Sequence, residues 1–429
     1  MKHLIDIARH KVDQAEVYHT EDSSDSISFS DGKLDKADST LRSGIALRII
    51  KDGKVGLAHT RNLLDADTLL RQAMISAENG MEAGFRFPLT TDVFQPDTYS
   101  PSVETLSKKD LIDEGKRIID YINARCDSQV NIGIGYGIGQ SGLINSAGTA
   151  LDQKGSGYGS SVQMIFPGTG SGLFHFVTDK QYRALDFEMI DEMIELFAIS
   201  KNEIVPPTSV MPVIFMPMCM YALIWRLHSA INPANIHTAI SPLCNRLGEK
   251  IISDKITLRQ DPHADDMDNS CGFDSEGTPT RPYAYFDKGV FTTIPTDLNY
   301  AEKLKLEPTG NGVRDSVEGM PQSSIINPCL EPGIQSLQDM IASIDQGIIV
   351  HSVMGAHSGN ILNGDFSVGV SAGFMIEKGV LTGRVKDCML SGNVYDIFNR
   401  DLVIENKATN LGSRKSPAVL FDGISVAGK

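Results

Sequence analysis

A chain of 429 residues is longer than one ordinary hydrophobic core organises, so two or three domains are expected. Its 41% hydrophobic and 22% charged residues are those of a globular protein, and no apolar run approaches the roughly 20 residues a membrane-crossing helix needs. A formal charge of −15 excludes the broad basic face that nucleic acid requires. The N-terminal MKHLIDIARHKVDQAEV is too charged for a signal peptide, and a cytoplasmic location is expected. Cys126, Cys219, Cys244, Cys271, Cys329 and Cys388 are scattered without a C-x-x-C pair, which argues against a disulfide framework or a zinc ribbon.

In chain order, a helix is expected over 2–12, then short alternating segments AEVYHT, DSISFS, GIALRII and KVGLAHT. Asp31-Gly32 and Asp52-Gly53 punctuate them as hairpin turns. Helical periodicity returns at 65–79 and 107–125, separated by the Pro-bearing stretch FRFPLTTDVFQPDTYSPSVE. Residues 128–177 are rich in Gly and β-formers; a helix at 187–200 and the linker-like VPPTSVMP follow. PVIFM reads as a strand leading into an apolar helix, and later helices are expected near 297–305, 335–343 and 389–399. Strands and helices do not alternate strictly, so the expected fold is α+β. The division is an N-terminal domain with antiparallel hairpins over 1–203 and a strand-rich C-terminal domain over 204–429.

Three motifs fail on physical grounds. Gly137-Ile-Gly139-Gln-Ser-Gly142 has dinucleotide-loop spacing but runs into strand-like sequence, where no helix N-terminus would meet a pyrophosphate. Gly369-Val-Ser371-Ala-Gly373 matches a nucleophile elbow, yet the last histidine is His357, whereas that fold places its His after the Ser. No histidine is followed by Glu, as a zincin helix requires. The loop carrying His263, Asp265, Asp266, Asp268 and Cys271 offers ligand types, although an acidic loop is most often simply solvated.

The stretch FMPMCMYALIWRLHSAINPANI holds the only tryptophan, Trp225, next to Arg226 and close to His228. Pro217 suits a first helical turn, and the near-unbroken apolar run describes a buried helix. On that reading Trp225 packs in the core, Arg226 snorkels, and His228 finds a hydrogen bond.

Several stretches together resemble the TldD/PmbA family, zinc-dependent peptidases also labelled modulators of DNA gyrase. They are AEVYHTEDSSDSISFSDGKLDKADSTLRSGIALRIIKDGKVGLAHT in the first half, then RLGEKIISDKITLRQDP, FDSEGTPTRP, NPCLEPGIQSLQDMI, GDFSVGVSAGFMIEKGVLTGRV and LSGNVYDIF. The ordered set spans nearly the whole chain. Catalytic members carry His-Glu-x-x-x-His on the helix and a cysteine ligand from a later Gly-rich segment. Aligned on F-x-P, the resemblance sets the first His at Trp225, the Glu at Arg226 and the second His at Ala230. Counted back from Gly364-Asp365-Phe366, it sets the cysteine at Met354.

None of the four has kept its metal chemistry. The departure implies a PmbA/TldE-like subunit, a pseudoenzyme that holds no cofactor of its own and pairs with a zinc-bearing TldD-like catalytic subunit, or with itself as a dimer. The implied substrates are peptides or unfolded chains, bound by strand addition at Gly-rich edges and favoured by the acidic surface when basic. Two alternatives stay open: a peptidase active by itself through a metal site or peptide site using His228, His237, His351 or His357, and a structural or binding protein without proteolytic role.

Overall fold

The computed structural model describes residues 1–61 and 65–428. The first half is a six-stranded antiparallel sheet built from β1 (Gln14–Ser30), β2 (Lys33–Lys51), β3 (Lys54–Thr60), β4 (Gln129–Asn145), β5 (Ala150–Ile165) and β6 (Gly172–Asp179), in the order β3-β2-β1-β4-β5-β6. The β1-β2 and β2-β3 hairpins close as two-residue turns. Asp31 and Gly32 have φ of 50° and 70°, and Asp52 and Gly53 have 50° and 71°, the left-handed pair that matches strand twist. AEVYHT and DSISFS are the two ends of one 17-residue strand rather than two strands. The polar residues Glu21–Ser24 between them are exposed, but their backbone is paired on one side with β2 and on the other with β4.

Four helices cover this sheet. α1 (Lys2–Ala8) is shorter than the expected 2–12 and packs with α2 (Ala66–Glu78) over one end, on Ala15, Val17, Leu47 and Ile49. The Asp65 carboxylate accepts from the Thr68 N–H to start α2, and a Ser107/Asp110 capping box starts α3 (Lys108–Asn123). α3 and α4 (Phe187–Ile199) cover the other end. The glycine-rich β4 lies in the sheet interior, with Gly135, Gly137 and Gly139 facing Gly159, Gly157 and Gly155 of β5. The dinucleotide-like spacing therefore opens no helix; β4 is paired on both sides, by β1 and β5, whereas β5 is paired with β6 only over Tyr158–Ile165.

The second half is organised by a ring of five strands: β7 (Ser209–Phe215), β8 (Gln346–Met354), β9 (Asp365–Glu377), β11 (Cys388–Asn393) and β12 (Val419–Gly428). β8 pairs in parallel with β7, and antiparallel pairings β7-β12, β12-β11, β11-β9 and β9-β8 close it. β10 (Val380–Val385) extends β9 outward, followed by Glu203–Ile204 in parallel. β7 begins inside the expected linker, because Ser209 to Met211 find partners in Ile424 to Val426. The expected helix over 389–399 is a correction: Cys388–Asn393 is strand, paired on both sides, and only Val394–Ile397 is helical.

The two halves share a core in which Ile27, Ile132 and Val162 of the first sheet pack with Ile214, Ile349, Phe374 and Leu420 of the ring. At the opposite end, a buried ionic knot joins them: Arg48 of β2 donates to Glu16 of β1 at 2.9 and 3.1 Å and to Glu276 at 2.6 Å. Arg314 adds a bond to Glu16 at 3.2 Å. No helix among the described residues is long and apolar enough to cross a membrane.

Candidate functional site

The expected apolar helix opens as a 3-10 turn at Pro217–Cys219, and α5 proper spans Tyr221–Ile231. It ends where the Asn232 side chain accepts from the Ala234 N–H and caps the short α6 (Pro233–His237). Leu223, Leu227, Ala230 and Ile231 pack on Val213, Phe215, Phe366 and Phe421. Burial falls on the helix in the reverse of the sequence expectation. Trp225 is 40% exposed, on the same outward face as Tyr221 at 39%, whereas Arg226 is fully buried. Trp225 is therefore corrected from a core residue to a surface one.

The Arg226 guanidinium is held by backbone carbonyls. Nε donates to Asp365 O at 2.6 Å, Nη2 to Ser358 O at 2.8 Å and Ala356 O at 3.1 Å, and Nη1 to Ala222 O. Gly355 and Gly359, at φ 72° and 96°, allow the tight loop after β8 that turns two of these oxygens inward. No ion pair to a carboxylate is made by Arg226 among the described residues. Burial lowers its pKa, partly countered by the charge of Asp365, whose carboxylate is bonded instead by Asn393. Helix α5 is thus bonded through Arg226 to the loop at Ala356, Ser358 and Asp365. Ala230 is buried, and Met354 at the end of β8 is 55% exposed.

The four histidines do not converge into one site. His228 shares a 2.8 Å hydrogen bond between Nε2 and the Tyr285 hydroxyl, and burial lowers its pKa to about 4, so it is neutral near pH 7. His351 is also lowered to about 4 by burial; its Nε2 is buried without a partner and its ring meets Phe374 edge-on at 5.6 Å. It borders a cavity of about 600 Å³ between the ring and β6, along with Met354, Ser371 and Phe174. His237 and His357 are exposed, His237 against the Tyr300 ring.

The acidic loop is likewise dispersed among structural contacts. Asp266 pairs with Lys415 at 2.7 Å, Asp265 accepts from the Asp97 N–H, and His263 stacks on Phe94. Burial pushes the Cys271 thiol up to about 12 and Cys329 to about 11, which leaves them un-ionised near neutral pH. Ser371 of the elbow-like motif lies within β9, bonded to Ser352 Oγ at 2.9 Å. Among the described residues no three His, Cys, Asp or Glu side chains are placed to hold a metal ion. Zinc therefore does not fit the residues at 225, 226, 230 and 354, where the one potential donor is a thioether. Sequence reasoning missed Tyr285, the partner of His228, and Arg414, which lies over Tyr221; neither sits in a motif that would have pointed to it.

Comparison with known proteins matches this architecture. A model described as the PmbA/TldA metallopeptidase C-terminal domain matches residues 208–428, and one for domain 1 of the same metallopeptidase matches residues 15–77. An uncharacterized protein of Methanocaldococcus jannaschii is 26% identical over 409 residues, 92% of each chain. A metalloprotease PmbA homolog of Buchnera aphidicola is 27% identical over 327 residues, 75% of this chain and 69% of that one. The crystal structure of TldE from Thermococcus kodakarensis superposes with a TM-score of 0.92 at 23% identity, covering 100% of each chain. With its α+β fold matched throughout and its C-terminal half matched by the family model, the chain belongs to the PmbA/TldD metallopeptidase family.

Proposed function

We propose that this chain is the non-catalytic, PmbA/TldE-type subunit of a two-component zinc metallopeptidase that acts on peptides or unfolded chains. One observation carries the reading: the position that the family resemblance gives to the general base holds Arg226, buried and tied to four backbone carbonyls. A guanidinium stays protonated, accepts no proton and binds no cation. Its removal from water is compensated by the same carbonyls that would otherwise face an empty pocket, so the substitution is built into the packing of α5.

In this role the chain shapes and supports a site whose zinc and general base come from a TldD-like partner. Activity without a partner would need donors that converge, and His228 is occupied by Tyr285 while His351 stands apart from the exposed His237 and His357. The test is peptide hydrolysis by this chain alone, by a zinc-bearing TldD-type relative from the same organism, and by both mixed. Hydrolysis that requires or is strongly raised by the mixture is expected. Chelator-sensitive hydrolysis by this chain alone would overturn the reading.

A further inference from the structure

The outward face of α5 borders a second cavity, of about 240 Å³. Tyr221, Ile224 and Trp225 line it on the helix side, with Tyr285 and Leu330 opposite. One charged group enters these apolar walls without a counter-charge: Arg414. Its guanidinium lies 5.6 Å over the Tyr221 ring, and its Nε is buried with no hydrogen-bond partner. Among the described residues, no carbonyl or carboxylate accepts from the Arg414 side chain. The adjacent Lys415 differs, being paired with Asp266 at 2.7 Å.

Arg314 and Arg384 also leave a buried Nε unpartnered, but their Nη groups are spent on Glu16, the Gly319 carbonyl and Glu203; Arg414 differs in that, among the described residues, no part of its guanidinium is bonded, which leaves all of its donors for a ligand. Burial lowers the pKa of Arg414, which means that its charge is poorly solvated and that an anion placed there replaces little water. The anion best matched to a planar guanidinium is a carboxylate, through two parallel hydrogen bonds. Apolar walls reject a second charge and accept a branched or aromatic side chain. The cavity is below the size typical of a drug-like ligand and accommodates one side chain with its carboxylate rather than a strand passing through.

We infer that this pocket binds a carboxylate adjoining a single apolar group, supplied by the C-terminus of a peptide whose last residue is apolar. The choice of a peptide as the source rests on the peptidase reading above; the carboxylate site does not, and it needs no partner subunit. Trp225, the only tryptophan in the chain, stands in the pocket wall and reports occupancy by its emission.

The test titrates the full chain with acetyl-Ala-Leu as the free acid, the same dipeptide as its C-terminal amide, and 4-methylpentanoate, following Trp225 emission and heat of binding together. Saturable binding of the acid, at least ten times tighter than the amide and tighter than 4-methylpentanoate, is expected. Arg414→Gln should reduce the acid to the affinity of the amide. Equal affinity of acid and amide in the unmodified chain, or no saturable signal by either method, overturns the carboxylate site whether or not the variant folds. Binding of 4-methylpentanoate as tight as that of the dipeptide acid overturns the peptide as its source. Neither failure touches the paired-subunit reading, which is decided by hydrolysis in the mixture.

Discussion

Two buried guanidinium centres answer the same physical problem in different ways. At the knot between the halves, Arg48 and Arg314 meet Glu16 and Glu276 in a balanced set of two cations and two anions, all nearly inaccessible. Burial acts to lower the pKa of Arg48, but the Glu16 and Glu276 carboxylates outweigh it and the net shift is upward. At α5, Arg226 has only carbonyl dipoles, and its pKa is lowered. The first arrangement ties residue 16 to residues 276 and 314, and so holds together segments far apart in sequence. The second neutralises nothing; it fills, with a fixed cation, the place where the family resemblance expects a carboxylate base.

The largest effect is expected at the knot. Arg48→Met leaves the buried Glu276 carboxylate without its cation and Glu16 with Arg314 alone, and should cost about 3–5 kcal/mol in denaturant unfolding; a loss below that of Arg226→Met would contradict its role as the lock between the halves. Next comes acid. His351 has a folded-state pKa of about 4 against an ordinary 6.5, so the unfolded chain binds the proton first as pH falls. Its contribution to stability is present above pH 6.5 and is lost towards pH 4, by roughly 3 kcal/mol at the limit. His351→Leu should flatten that part of the stability curve, and an unchanged slope would show that the ring is solvated. Arg226→Met is the smallest of the three, about 1–3 kcal/mol, because it leaves unpaired carbonyls but no stranded charge.

Local chemistry was the legible part of the fold. The Asp-Gly turns, with φ above zero, were readable because their partners lie within a few residues, and the helices expected from 65 and 107 begin at the Asp65 cap and the Ser107 capping box. β1 was read as two strands because its middle is polar on both faces, and the partners that satisfy its backbone in β2 and β4 are not local. The same reason explains Met389 to Asn393, whose helical pattern yields to pairing with β9 and β12. At the site, the place of α5 was readable but its orientation was not. Three of the carbonyls that bury Arg226 come from Ala356, Ser358 and Asp365, at least 130 positions away. An apolar run containing Trp and Arg suggests a buried Trp until those acceptors are known.

Zinc content of the chain purified alone, without chelator and set against protein concentration, tests the account most directly. With Trp225, Arg226, Ala230 and Met354 at the positions that the family resemblance assigns to the zinc ligands and the general base, the ratio should lie well below one zinc per chain, and on the proposed reading zinc enters the assembly with the partner. A ratio near one in the isolated chain would contradict the account and point to His228, His237, His351 and His357 as the residues to replace next.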